Sequence, residues 1–165
     1  MSATPRRTPK AEAHAESQRE RILDAAQKCF IEHGFHGASM ARIAEEAAIS
    51  VGLAYRYFDS KNAIMLAIIA RELDGKRERI QELCVGNDFL AAVMEKFVAW
   101  QTGAPGVMNA AIFLEMSAEA SRSPEIAQAI RASDTMVRQE FERWLQLGRS
   151  EGGLGLTAGE AHRRG

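Results

Sequence analysis

At 165 residues, 46% of them hydrophobic and 26% charged, the chain holds enough apolar material for a real core, which excludes a wholly disordered or repetitive protein and leaves one globular domain or a small head fused to a body. The formal net charge is −1, and up to position 62 nine basic residues stand against eight acidic ones, so any nucleic-acid reading rests on local placement of charge. Cys29 and Cys84 lie in no CxxC pattern, which excludes a zinc ribbon or disulfide framework, and with no apolar leader and no run of about 18 apolar residues the chain reads as soluble and cytoplasmic.

Residues 1–16 include Pro5, Arg6, Arg7, Pro9 and Lys10 without an apolar period, and predict a flexible basic arm whose cations are either solvated or laid in a minor groove. Order is expected from Ser17. Ile22, Ala25, Ala26, Cys29, Phe30 and His33 recur at helical spacing, and Gly34 stands where a C-terminal cap is wanted. Ser39 opens a second, short helix with Met40, Ile43, Ala44 and Ala47 on one stripe, and Ser50 opens a third that runs to about Tyr57. Asp59 or Ser60 caps a fourth. Residues 63–70 of that helix are apolar on every side and are expected to be buried, and Leu66, Ile69, Leu73, Ile80 and Leu83 continue a seam, so one long helix joins head to body.

Asn87 or Asp88 caps a fifth helix with a core face of Leu90, Val93, Met94, Phe97 and Val98, which stops at Gly103, Pro105 and Gly106. Residues 109–121 predict a helix packed on several sides. Ser123, with Pro124 at the first helical position, starts a long helix whose inner face is Ile126, Ile130, Ser133, Val137, Phe141 and Trp144. No strand signal competes. The predicted fold is all-α: a three-helix head over 17–62, a helical body over 63–152 and a disordered tail over 153–165.

Two short helices across a tight connection at 48–50, with longer helices on either side, are the parts of a helix-turn-helix head. Such a unit lays its second short helix in the major groove. The segment SMARIAEEAAISVGLAYRYFDSKNAI resembles the head signature of the TetR family, in which a Thr or Ser opens the second helix, an Ile-Ala pair follows, and a Ser-x-Gly-x-x-Tyr-x-x-Phe-x-Ser-Lys run covers the recognition helix and the next start. FLEMSAEASRSPEIAQAI resembles, less specifically, a pattern of the family's body.

The resemblance implies a ligand-responsive repressor that binds a palindromic double-stranded operator as a homodimer. It implies phosphate contacts at Ser39 and Lys61, a DNA contact at Ser50, which also caps the recognition helix, base-edge or thymine-methyl contacts at Val51 and Leu53, close backbone approach at Gly52, and phosphate or groove contacts at Tyr55, Arg56 and Tyr57. Phe58 is expected to plug the head core. Ala48 replaces the glycine usual in the turn, so a left-handed conformation there costs energy, and Ala54 replaces a larger apolar residue, leaving volume for Met40 to fill.

In the body, Met94, Phe97, Trp100, Gln101, Met108, Phe113 and Met116 form either plain core or, as the resemblance implies, the lining of a pocket for a small lipophilic ligand. The family continues into one more long helix beyond 152. Without it, Val137, Phe141, Trp144 and Leu145 are expected to be partly exposed and the dimer to be weakened. Glu32, His33 and His36 have no HExxH spacing and are read as structural, Cys29 as a small apolar core residue, and no metal or cofactor is expected. An enzyme is disfavoured by the lack of a Ser-His-Asp set, a phosphate loop or a carboxylate pair; the remaining alternative is a helical interaction module that never touches DNA.

Overall fold

The structure, a computed structural model, describes residues 9–85, 89–102, 110–148 and 153–164, and every regular element among them is an α-helix. In order these are α1 (Pro9–Gly37), α2 (Met40–Glu46), α3 (Val51–Tyr57), α4 (Lys61–Val85), α5 (Phe89–Thr102), α6 (Ala110–Ala120), α7 (Pro124–Gln146) and α8 (Ala158–Arg164). The chain divides into two units, residues 1–64 and 65–165, with α4 passing from one to the other. The expected caps Asn87 and Asp88, the breakers Gly103, Pro105 and Gly106, Met108, and Arg6 and Arg7 lie outside the described residues.

Helix α1 starts at Pro9, not at Ser17 as expected for a flexible arm. Proline is tolerated in a first turn, where its missing N–H costs nothing, and the Ala and Glu residues that follow are strong helix formers. Glu12, Ala13 and His14 are exposed. Apolar periodicity reports burial rather than helicity, so a solvated leading stretch escapes it. Farther on, Ile22, Leu23, Ala25, Ala26, Cys29 and Phe30 are buried. Gly34, at φ 71° and ψ 162°, then interrupts the helix in a conformation essentially reserved for glycine. The bend returns Phe35 to the core, its ring centroid 5.2 Å from that of Phe30.

Ser39 caps α2 by accepting from the Arg42 amide at 3.1 Å, and Met40, Ile43 and Ala44 form its buried face. The link to α3 is a Schellman turn: the Ala48 amide donates to Glu45 O at 3.0 Å and the Ile49 amide to Ala44 O at 2.9 Å. Ala48 holds the left-handed position of this turn at φ 51°. Ala48→Gly is therefore expected to stabilise the protein by about 0.5–1 kcal/mol, the left-handed penalty less the added chain entropy of glycine. A urea midpoint that falls on substitution contradicts this geometry. Ser60 rather than Asp59 caps α4, accepting from the Ala63 amide at 3.1 Å.

In the first turns of α4, Ile64, Met65, Ala67, Ile68 and Ile69 are buried as the apolar run predicts, although Ala70 is exposed. In α5 the expected core face fails at three described positions: Met94, Phe97 and Val98 are each about half exposed. Helix α6 buries a single face, Ile112, Met116 and Glu119, and leaves Phe113 and Leu114 outside, so it is not packed on several sides. Composition made it look all-round apolar, but Ala and Leu tolerate water where no neighbour is supplied.

Ser123 and Pro124 start α7 as predicted, with Ser123 Oγ accepting from the Ile126 amide. Ile126, Ser133, Trp144 and Leu145 are buried, and Ile130, Val137 and Phe141 are half-buried. The end of this face is covered, contrary to the expected exposure of Trp144 and Leu145. Residues 153–164 are an ordered hook, not a disordered tail. The Gly155 amide donates to Leu147 O at 2.7 Å with φ 67° at Gly155, and the Leu156 amide donates to Leu145 O at 2.9 Å. A side chain on Gly153 would collide with Leu147 and with the Trp144 carbonyl at 2.6 Å. Thr157 and Glu160 make a reciprocal capping box that launches α8, placing Ala161 against Trp144 and Leu145.

Candidate nucleic-acid interface

Helix α3 has two unlike sides. Ala54 is fully buried and Phe58, its C-cap, is 4% exposed, so this side faces the head core. Val51, Gly52, Tyr55 and Arg56 are exposed, at the i, i+1, i+4, i+5 spacing of one helical face, and Leu53 and Tyr57 are half-buried at its margins. Ser50 caps the helix start by accepting from the Leu53 amide at 3.2 Å. Around Gly52 a Cβ would meet nothing within 4 Å, so nothing inside the protein calls for glycine and the backbone stands open to an outside group. Exposed hydroxyl, phenol and guanidinium groups beside an apolar Val51 can bind phosphate oxygens and pack on a thymine methyl.

Of the expected polar contacts, Ser39 and Ser50 are exposed but spend one lone pair each as helix caps. Lys61 is placed otherwise than expected. Its ammonium donates to Phe35 O at 2.6 Å and Ala38 O at 2.7 Å, and lies 4.7 Å from the centroid of the Phe35 ring. These carbonyls lie 26 and 23 residues away in sequence, so no local spacing rule could have found them.

Arg42, exposed at the third position of α2, is a candidate phosphate ligand that the sequence reading passed over; an arginine on the polar side of the second short helix was the available signal. Arg21 Nη2 donates to Ala47 O at 2.6 Å, and Arg19 lies 4.6 Å above the Phe58 ring. Lys28 bonds Glu46 at 2.7 Å, which raises its pKa, and burial, helped by Glu46 and Glu32, pushes the Cys29 thiol up and keeps it neutral.

The body residues expected to line a pocket do not share one environment. Met94, Phe97, Gln101 and Phe113 are exposed, whereas Met116 belongs to the core. The Trp100 side chain and Met108 lie outside the described residues. Among those described, no helix is long and apolar enough to cross a membrane, and no group of His, Cys, Asp or Glu side chains is gathered to hold a metal ion.

Residues 22–68, which contain α2, α3 and the burial pattern above, match the model of the family described as bacterial regulatory proteins, tetR family. The HTH-type transcriptional regulator UidR of Escherichia coli (strain K12) is 36% identical over 120 residues, which is 73% of this chain and 60% of that protein. The chain belongs to the TetR family. The HTH-type transcriptional activator FasR of Mycolicibacterium smegmatis is 31% identical over 86 residues, half of this chain and 39% of its own length. Among solved structures, Salmonella enterica GusR superposes with a TM-score of 0.70 at 27% identity, over 90% of this TetR-family chain and 77% of GusR. The chain spans 60% of the length of UidR.

Proposed function

We propose that this chain is a sequence-specific DNA-binding transcriptional regulator, acting as a repressor that a small-molecule ligand releases from a palindromic operator. The observation that carries the reading is the two-sided α3: Ala54 and Phe58 anchor it in the head, and Val51, Gly52, Tyr55 and Arg56 stand outward on one face. Inserted in a major groove, that face offers Val51 to thymine methyls and the open backbone at Gly52 to close approach. Tyr55 and Arg56 supply donors to phosphate or to a guanine edge. A palindromic site fits two heads presented by a homodimer, as the family resemblance implies. The ligand reading rests on that resemblance, with the apolar side chains of α5 and α6 as candidate contacts.

The test is a gel-shift with the chain's own promoter region over a salt series. Sequence preference with a steep fall of affinity in salt supports the regulator, and equal binding to unrelated DNA, or none, argues for an interaction module instead. Within the same series Arg56→Ala is expected to weaken binding and to reduce the slope of log affinity against log salt by about 0.9, the share of one phosphate. An unchanged affinity would remove Arg56 from the interface.

A further inference from the structure

Helix α1 sends one cation to the C-terminal end of α3. The Arg19 guanidinium lies 4.6 Å from the centroid of the Phe58 ring, over the residue that ends α3, and Arg19 is half-buried there. We propose that Arg19 is a phosphate ligand, an arginine of α1 that grips the DNA backbone beside the C-terminal end of α3. The proposal rests on the DNA-binding reading above and adds to it a contact from outside the two short helices.

The ring seats the guanidinium without using it up. Attraction between this cation and an aromatic face is electrostatic, and the ring offers no lone pair to an N–H. Among the described residues no hydrogen bond or ion pair engages Arg19, so its N–H donors are left to water or to an outside anion. Phe58 is itself fixed in the head core at 4% exposure. A side chain already seated on it has less rotamer freedom to lose on binding than one loose in solvent. The planar fork of N–H groups also matches two oxygens of one phosphate, a fit that a lysine ammonium lacks.

The length of α3 places this cation at the sugar–phosphate backbone. A helix-turn-helix unit reads base edges with the N-terminal residues of its second helix. The seven residues of α3 make a helix about 10 Å long, and the major groove is about 8.5 Å deep. With Val51 at the base edges, the Phe58 end of α3 comes to the rim of the groove, where the phosphates run. Arg56 is exposed near the same end, so α3 and α1 each bring an arginine to that rim.

The experiment measures affinity for promoter DNA and for unrelated DNA, from low to high salt, with the full chain as parent, Arg19→Met and Arg19→Lys. The temperature is one at which circular dichroism shows each folded. Methionine keeps an apolar cover on Phe58 and removes the charge. Arg19→Met is expected to bind both DNAs more weakly by the same factor, with the slope of log affinity against log salt smaller by about 0.9, the share of one phosphate. Arg19→Lys retains a charge and should retain the parent slope.

A parent slope in folded Arg19→Met overturns the proposal, since the arginine then serves packing on Phe58 alone. A loss confined to promoter DNA overturns it too, because a phosphate contact carries no sequence information. Phenylglyoxal labelling of arginines in the parent, mapped by mass spectrometry, adds a readout that needs no variant. Promoter DNA should slow the labelling of Arg19, and an equal rate with and without DNA contradicts the assignment. A parent that binds neither DNA overturns the regulator reading itself, whereas a parent that binds while Arg19 responds in neither readout removes this contact alone.

Discussion

Phe58→Ala is expected to destabilise the protein by about 3–5 kcal/mol, the usual cost of emptying a buried aromatic site. The side chain is 4% exposed and closes the C-terminal end of α3, where its amide also donates to Ala54 O at 3.0 Å. Arg19 covers the ring at 4.6 Å, so truncation also removes a cation–π contact. Against a total stability of about 5–15 kcal/mol for a typical domain, the loss is enough to unfold much of the head. A melt followed by circular dichroism should show a midpoint lower by roughly 10–15 °C, and Phe58→Leu should recover a good part of it. A parent-like melt for Phe58→Ala would show that the ring does not hold the head together.

Gly34→Ala should lose about 2 kcal/mol, and its sign decides between two readings of one glycine. Were Gly34 in ordinary helix, alanine would stabilise by about 0.5–1 kcal/mol. At φ 71° and ψ 162° a Cβ is strained instead, by about 1–3 kcal/mol. Relief of that strain would pull Phe35 from its packing on Phe30 and move the carbonyls that Lys61 holds. In urea the midpoint should fall with the slope unchanged, as for a change confined to the folded state. A midpoint that rises would mean that α1 runs straight through position 34.

Much of the head was legible because its determinants are local. Ser39, Ser50 and Ser60 each accept from the amide three residues on, as Ser123 does in the body. The apolar spacing of α1 and α2 returned most of the buried residues, although His33 on that stripe is exposed and the buried Leu23 and Phe35 lie off it; Phe58 is core as expected, and the cost of alanine at position 48 followed from the turn that must join two short helices. The outward face of α3 was legible for the same reason, since seven residues of helix leave Ala54 and the tyrosines few alternative sides.

What failed was of another kind. Leu114 at 66% exposure and the half-exposed Met94 and Phe97 obey helical spacing as well as any core residue, and spacing alone does not set how deeply the fold buries each. The hook over Trp144 was missed because glycines at 153 and 155 read as disorder until Leu145 and Leu147 supply carbonyls for them to meet.

The sequence by itself determined the helices, their caps, the head core and the outward set on α3, because each depends on backbone sterics and on contacts within one or two turns. Only the tertiary structure decided which cations hold a main-chain carbonyl of another element. The ammonium of Lys61 and the guanidinium of Arg21 find carbonyls 23 to 26 residues distant, and a charge so committed looks the same in sequence as one left to solvent. Partners brought together by folding carry no period along the chain, so which cations meet a distant carbonyl is a property of packing alone.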